Sequence, residues 1–186
     1  MGAAATGVIP RLLFVIGASG AGKTTAVRTL ERRGLPSVRC YYFDSLGVPS
    51  AEEMERRWGG GEQWQEDATR RWIERLSTPS HGDRVNVLDG QTRPAFIQPY
   101  AAGVSYRIVL LDCTPATRAT RLRDGRSQPE LVTERMENWA AYLRREAGAH
   151  DVPIVDTSQL SHEEVADALQ HQVELLLRGG THARSP

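Results

Sequence analysis

The sequence predicts an α/β protein with three layers, in which a parallel sheet of about five strands lies between two layers of helices. Two observations support this prediction. Five short apolar segments typical of buried strands recur along the chain, and helical or loop-forming residues follow each of them. The length of 186 residues suits one domain with its own core. We place that domain at residues 1–178 and expect residues 179–186 to be a disordered tail.

Strand candidates and helix starts alternate in the order that such a sheet requires. The strand candidates are Leu12–Ile16, Val38–Phe43, Val85–Leu88, Arg107–Leu111 and Val152–Val155. The capping signals that mark helix starts are Ser50 with Glu53, Thr114 before Pro115, and Ser161 with Glu164. A further helix is expected from Thr24 to Arg33, because its apolar residues have helical spacing and Gly34 follows.

The longest segment between two strand candidates, residues 50–80, predicts a helical insertion. An apolar stripe repeats there every four residues, at Trp64, Ala68, Trp72 and Leu76. On the opposite face we expect the ion pairs Glu66–Arg70 and Asp67–Arg71. Tryptophans at helical spacing usually belong to the core, which is the interpretation we favour; the alternative is that Trp58, Trp64 and Trp72 line a ligand pocket.

A glycine-rich stretch, GASGAGKTT, follows the first strand candidate and opens the first helix. Its spacing Gly17-x-x-x-x-Gly22-Lys23-Thr24 matches the Walker A pattern, in which backbone N–H groups and the lysine bind phosphates and the hydroxyl binds Mg²⁺. Lys23 is the only lysine of the chain, since the other 22 of its 23 Lys-or-Arg positions are arginine. An arginine fork does not replace a compact ammonium.

This match predicts a P-loop NTPase fold that binds ATP and Mg²⁺. The alternative, a turn that binds nothing, would make the lysine, the threonine and both flanking elements coincidences. The predicted phosphate-binding residues are Gly17, Ala18, Ser19, Gly20, Ala21, Gly22, Lys23, Thr24 and Thr25.

Three carboxylates end strand candidates at the edge where open α/β sheets bind their ligands. Asp89 and Asp112 are both candidates to accompany Thr24 at the metal, and periodicity does not choose between them. Asp44 is the candidate general base if the phosphate acceptor is an alcohol. Its alternative interpretation is a turn or helix cap.

Four arginines follow the fourth strand candidate, namely Arg118, Arg121, Arg123 and Arg126. Such charge runs usually lie on a solvated helix face. The glycine before Arg126 provides a hinge, so that Arg126 could close over transferring phosphates as part of a lid at residues 118–131. Pro129 is then expected to open another helix that packs on the body through Val132, Met136, Trp139 and Leu143.

These segments together resemble the P-loop small-molecule and nucleotide kinases, a group that contains adenylate, shikimate and gluconate kinases. GASGAGKTT is similar to their phosphate loop, and VLDGQTRP resembles the Asp-Gly-Phe-Pro-Arg segment of adenylate kinases. RLRDGRSQPEL resembles the lid arginines and the Arg-Pro-Leu-Leu of shikimate kinases, and IVDTSQLSHEEVA resembles the last strand and helix of many members. FDSLG resembles a strand end of chloramphenicol phosphotransferase. The resemblance covers nearly the whole chain without singling out one subfamily.

The resemblance implies roles for individual residues. Asp89 is implied near the metal or acceptor, Arg121 against adenine, and Arg126 on the phosphates. The implied acceptor-binding residues are Asp44, Gly90, Gln91 and Arg93, together with the insertion at residues 50–80. Departures from the pattern are Gln91-Thr92 in place of Phe-Pro and Gln128 in place of the arginine before proline.

The sequence therefore predicts an ATP- and Mg²⁺-dependent kinase of a small molecule, with Lys23, Asp44, Asp89 and Arg126 as catalytic candidates. Asp89-Gly90 with Arg93 favours a nucleotide-like or phosphorylated acceptor, whereas Asp44 favours an alcohol. A regulatory NTPase is the second hypothesis, and an RNA-end kinase the third.

Composition narrows the partners and the compartment. Acidic and basic residues balance at 23 each, which disfavours nucleic acid as a partner. We find no apolar segment of about 20 residues and no signal-peptide pattern, and therefore expect a cytoplasmic protein without a membrane span. The two cysteines lack metal-ligand spacing, and we assign no role to the five histidines. The oligomeric state stays open.

Overall fold

The computed structural model describes residues 9–78 and 84–179. Five strands form one parallel sheet in the order β2-β3-β1-β4-β5, which confirms the predicted sheet. The strands are β1 (Arg11–Ile16), β2 (Val38–Tyr42), β3 (Val85–Asp89), β4 (Ser105–Asp112) and β5 (Ile154–Asp156). Each predicted strand is present, with ends that differ by one or two residues.

Helices cover both faces of this sheet, as the predicted three layers require. They are α1 (Lys23–Arg32), α2 (Ala51–Trp58), α3 (Gly61–Leu76), α4 (Pro94–Ile97), α5 (Pro115–Thr120), α6 (Glu134–Ala149) and α7 (His162–Leu177). One face packs on α1 and α7, and the other on α3, α4 and α6.

The central strand β1 explains why the sheet is covered on both sides. Side chains alternate between the two faces of a strand. Leu12, Phe14 and Ile16 accordingly join one apolar cluster, and Leu13 and Val15 join the other. All five are fully buried. A continuous apolar run is stable only when both faces of its strand are covered, as in a parallel sheet between helices.

Capping residues fix where several helices begin. Ser50 and Thr114 each accept a hydrogen bond from the backbone N–H three residues ahead, at the starts of α2 and α5. Ser161 and Glu164 form the complete, reciprocal capping box at the start of α7. For Ser50, the structure gives only the bond from the Glu53 N–H to the serine side chain.

The insertion is a pair of helices, α2 and α3, separated by a break at Gly59 and Gly60. Its apolar stripe is buried, with Trp72 1% exposed. One expected ion pair is present, Arg71 with Asp67 at 3.1 Å. The other is wrong, because Arg70 pairs with Asp67 and Glu74 instead. Glu66 accepts a hydrogen bond from the Tyr100 hydroxyl, which gives it a different partner.

The segment after α5 differs from the expectation of one helix from Pro129. Residues Arg121–Gly125 form a π-helical turn and Pro129–Leu131 a single 3₁₀ turn. The helix α6 begins only after Thr133, whose side chain accepts from the N–H of Met136. The prediction placed the start too early because proline at a first helical position also suits a short 3₁₀ turn.

The remaining sequence expectations concern the cysteines, the tail and membrane spans. Cys40 and Cys113 are free thiols, and burial raises the pKa of Cys40 to about 12. Nearly all of the tail at residues 179–186 lies outside the described residues. Among the residues that the structure describes, no helix is both long and apolar enough to cross a membrane.

Candidate active site

The phosphate loop joins β1 to α1 and takes a shape that needs glycine. A Cβ atom on Gly17 would lie 2.3 Å from the Leu111 carbonyl oxygen. Gly22 caps α1 with φ 92°, in the left-handed region. That conformation is unstrained only for glycine. The loop therefore leads directly into the first turn of α1, whose N–H groups have no partner within the helix, and the positive end of the helix dipole adds to this usual setting for bound phosphate.

Lys23 opens α1 from inside this loop and is buried, with 9% of its surface exposed. Its Nζ donates a hydrogen bond to the Ala18 carbonyl at 3.3 Å. Burial lowers the pKa of Lys23, while the nearby charges of Asp89 and Asp44 oppose this shift. Arg126 lowers the pKa further. The structure thus brings Lys23 within electrostatic reach of two carboxylates and a lid arginine.

Asp89 and Thr24 form the closest polar pair of the site. The Thr24 hydroxyl Oγ1 donates to Asp89 Oδ2 at 2.5 Å. Asp89 ends β3 at the level of Val15 in β1 and Tyr42 in β2, so that three parallel strands end beside the loop. The buried carboxylate is therefore aimed at the hydroxyl that the Walker A pattern assigns to the metal.

Asp112, the other candidate metal carboxylate, is occupied elsewhere. One of its oxygens accepts from Arg118 at 2.9 Å, and the other accepts from Arg144. Thr24 is bonded to Asp89 and not to Asp112. The structure thereby distinguishes two aspartates that the sequence pattern left equivalent.

Asp44 follows β2 in a 3₁₀ turn, Phe43–Leu46, and is exposed. Its backbone carbonyl accepts from the N–H of Gly47. Partial loss of water around the carboxyl raises the pKa of Asp44, and the negative charge of Asp89 adds to this effect. Lys23 and Arg126 oppose it. The carboxyl of Asp44 consequently shares the electrostatic environment of the phosphate loop.

The lid arginines occupy different environments. Arg121 donates to the side chain and the backbone carbonyl of Thr157, at 2.8 and 2.6 Å. Arg126 is exposed and follows the π-helical turn. The expected solvated position is wrong for Arg118, which is fully buried.

Arg118 is held by contacts from three directions. It donates to Asp112 at 2.9 Å, to Glu137 of α6 at 3.0 Å, and to the carbonyl of Ser19 in the phosphate loop at 3.4 Å. A buried guanidinium is stable only when its donors are paired. Arg118 therefore connects the phosphate loop to α6 from within the core.

A cavity of about 500 Å³ lies against the start of α1, and we call it the lysine cavity. It is lined by Gly20, Gly22, Lys23, Thr24, Thr25, Ala26, Arg28, Arg121, Gly125, Arg126, Thr157, Leu160, His162 and Val165. Sequence reasoning gave His162 no role. The sequence nevertheless indicated its position, because the capping box at Ser161 makes His162 the first residue of a helix at the binding edge of the sheet.

A second cavity of about 810 Å³ lies on the other side of the loop, and we call it the tryptophan cavity. It is lined by Gly17, Ser19, Val48, Met54, Gly61, Glu62, Trp64, Gln65, Gln91, Arg93, Glu130, Leu131, Thr133, Arg135, Met136, Asn138, Trp139 and Tyr142. The stripe on α6 was expected only to pack on the body. Leu143 is buried in the core and Trp139 packs against the same cluster, but Met136 and Trp139 also line this cavity.

Among the predicted acceptor residues, Gln91 and Arg93 line the tryptophan cavity. Gly90 lies at the end of β3, where its N–H donates to the Val15 carbonyl at 2.9 Å. Thr92, which follows Gln91, is buried and shares a hydrogen bond with Thr69 of α3. The segment after β3 is thus fixed to the insertion, with Gln91 and Arg93 directed to the cavity.

The residues present fit ATP and Mg²⁺. The loop supplies the anion-binding backbone, and Thr24 with Asp89 supplies the hard oxygen ligands that Mg²⁺ prefers. Within the described part of the chain, no group of three or more His, Cys, Asp or Glu residues could hold a metal. This is the usual situation for Mg²⁺, which binds through one or two protein groups together with substrate phosphates.

Comparisons with known proteins identify the fold. No family model and no curated protein matches the chain. A sugar kinase from a Janibacter species shares 16% identity and a TM-score of 0.65, over 93% of this chain and 99% of that one. A gluconokinase from Sinorhizobium meliloti shares 18% and a TM-score of 0.62, over 92% and 94%. Shikimate kinase from Acinetobacter baumannii shares 20% and a TM-score of 0.52, over 94% and 97%. The chain therefore has the fold of P-loop small-molecule kinases, and no single subfamily stands out.

Proposed function

We propose that the protein is a phosphotransferase that moves the γ-phosphate of ATP to a small molecule, with Mg²⁺ as cofactor. The observation that carries this proposal is that one phosphate loop borders both cavities. Gly20, Gly22 and Lys23 line the lysine cavity, whereas Gly17 and Ser19 line the tryptophan cavity. A transferring phosphate on this loop would have its donor on one side and its acceptor on the other.

The lysine cavity suits the nucleotide. Lys23 and the loop N–H groups would hold the β- and γ-phosphates, and Arg121 with His162 would lie against the remainder of the nucleotide. Thr24 and Asp89 would hold the Mg²⁺, which neutralises charge on the phosphates when bound. Arg126 would close over the phosphates as charge develops on the leaving group.

Two classes of acceptor remain to be compared. Asp89-Gly90 with Arg93 supports a phosphorylated acceptor, which needs no base. Asp44 supports an alcohol, because its carboxyl interacts with Lys23 and Asp89 and its raised pKa suits a general base. A regulatory NTPase would use only the nucleotide cavity, so the second cavity at the same loop argues for the kinase.

The test is ADP formation from Mg·ATP with a panel of nucleoside monophosphates, nucleosides, sugar acids and hydroxylated antibiotics. We expect at least one acceptor to raise ADP formation tenfold or more over the acceptor-free rate, since lid closure excludes water until the acceptor binds. Lys23→Met is the control and should lose this signal. Fast turnover that no acceptor changes would contradict the proposal and favour the regulatory NTPase.

A further inference from the structure

The formal charges of the side chains that line the tryptophan cavity sum to zero. Four lining side chains among the described residues carry a formal charge, two acidic and two basic, namely Glu62, Arg93, Glu130 and Arg135. Glu130 and Arg135 are exposed, where water and salt screen them. Only Arg93 is a sheltered cation, with 14% of its side chain exposed. The binding of an anionic acceptor would therefore depend on Arg93.

Arg93 already has partners on all sides. Its Nη1 lies 3.1 Å from Glu62, and its Nε and Nη2 donate to Gln65 at 3.3 and 3.1 Å. Its Cζ lies 4.9 Å from the centroid of the Trp139 ring and 5.2 Å from that of the Tyr142 ring. The guanidinium is thus paired with Glu62 and Gln65 and lies beside aromatic rings, so an anionic ligand would have to displace these contacts to reach it. Arg93 ties α3 to α6 rather than offering a free cation.

The uncharged part of the wall combines a large apolar and aromatic surface with a few polar side chains; the apolar and aromatic residues are Val48, Met54, Trp64, Leu131, Met136, Trp139 and Tyr142, and the polar ones are Ser19, Gln65, Gln91, Thr133 and Asn138. Trp139 and Tyr142 stack with ring centroids 5.3 Å apart. Val48 lines the cavity and is 51% exposed, so an apolar ligand would cover this side chain. The volume of about 810 Å³ is near the upper end for sites that hold drug-sized molecules.

We infer that the acceptor is an uncharged alcohol with an aromatic or similarly bulky apolar body. This inference rests on the proposed kinase activity and specifies its substrate class. In the transfer, the acceptor oxygen bonds to the γ-phosphorus as the bond from that phosphorus to the bridging oxygen breaks. The products are the phosphate ester and ADP, and the hydroxyl proton passes to Asp44. An aromatic body stacks on Trp139, and no anionic group is needed for binding.

The test compares acceptors with and without a carboxylate. In phenyl β-D-glucuronide a carboxylate replaces the hydroxymethyl group of phenyl β-D-glucoside, and glucuronate with glucose repeats the comparison without the phenyl ring. Chloramphenicol adds a neutral aromatic alcohol of larger size. With kcat/KM for ADP formation as the measurement, we expect the neutral aromatic members to exceed the anionic ones at least tenfold.

A single substitution tests the role of Glu62 independently of the panel. In Glu62→Gln, Arg93 loses its neutralising partner, so the ratio of kcat/KM for the glucuronide to that for the glucoside should rise about fivefold or more. Glu52→Gln is the matched control, because Glu52 also lies in the first turn of a helix of the insertion but does not line the cavity. It should leave the ratio unchanged.

The outcomes separate this inference from the proposed function. Higher kcat/KM for anionic members in the unsubstituted protein would overturn the inference while supporting the kinase. ATP binding by calorimetry without stimulation by any neutral acceptor would also overturn it. Failure to bind ATP at all would reject the proposed function and this inference with it. A neutral preference together with the Glu62→Gln shift would support both.

Discussion

The phosphate loop and the tryptophan cavity adjoin each other, but the loop is one continuous segment of the sequence, whereas the cavity is formed by residues from several segments. The loop is nine consecutive residues whose backbone would bind the phosphates, with glycine where the chain turns into the left-handed region. The tryptophan cavity takes its side chains from α2, α3, the segment after β3, and α6. We expect the loop to tolerate few substitutions, because its residues together form a single backbone conformation. The cavity can change its ligand through single side chains, while the fold stays the same.

Arg118 lies between these two regions, and its removal should have the largest effect. Arg118→Met would leave Asp112 and Glu137 short of a buried partner, so we expect the free energy of unfolding to fall by about 3–5 kcal/mol. Urea denaturation measures this change. Arg123→Met, an exposed arginine of the adjoining turn, is the control and should cost less than about 0.5 kcal/mol. Similar losses in both variants would contradict the role of Arg118 as a buried connection.

On the loop side, Lys23→Arg should lower kcat by about a hundred- to a thousandfold, as loss of a transition-state donor does. The planar guanidinium is larger than the ammonium and would not fit the buried position beside the Ala18 carbonyl. Steady-state kinetics with saturating ATP measure the change. Arg32→Lys, in the last turn of the same helix, should keep full activity. An active Lys23→Arg enzyme would show that the site needs only a positive charge.

Asp44 lines neither cavity but interacts electrostatically with Lys23 and Asp89, and its substitution tests the proposed chemistry. Asp44→Asn should lower kcat about a hundredfold if an alcohol is the acceptor, because general-base catalysis is lost. Asp151→Asn, an exposed control, should not change kcat. A phosphorylated acceptor would instead keep activity within about tenfold of the original.

The pH dependence gives a second measurement of the same residue. A base must be deprotonated, so kcat/KM should rise with pH through the pKa of Asp44. Because that pKa is raised by loss of water and by Asp89, the acid limb should lie above the ordinary range for an aspartate. Asp44→Asn should remove this limb, and its persistence would assign the limb to another group.

On the cavity side, Trp139→Leu should have the smallest effect, a rise of about three- to tenfold in KM for the acceptor. The KM for ATP should not change, because Trp139 does not line the lysine cavity. Trp58→Leu is the control, since Trp58 packs on the core and donates to Asp67 instead. Equal changes in both KM values would indicate general loss of structure.

The sequence predicted the parts of the molecule that depend on local physics. Strand and helix positions follow from apolar periodicity and caps, and the loop follows from a short motif whose glycines and lysine each have one purpose. The choice between Asp89 and Asp112 as the metal carboxylate required the structure. Both residues end strands, and they differ in their hydrogen-bond partners, which are Thr24 for Asp89 and Arg118 for Asp112.

The cavity residues were harder to predict for the same reason. Met136 and Trp139 have the spacing of core residues, and an apolar stripe looks alike whether it meets a sheet or a ligand. Arg118 was misplaced because an arginine in a charge run is usually solvated, and its buried partners, Asp112 and Glu137, come from β4 and α6. Tertiary contacts decide whether such a residue is buried or lines a cavity, and local sequence patterns do not reveal these contacts.

The lone lysine has a practical consequence. An amine-reactive reagent can modify only Lys23 and the chain's terminal amino group, since every other Lys-or-Arg position is arginine. The lowered pKa leaves a larger fraction of Lys23 as free amine than of an ordinary lysine, and a bound nucleotide would shield it. The fraction of Lys23 that escapes covalent labelling would therefore report the occupied phosphate loops, with a natural reporter at the centre of the site and no engineered tag.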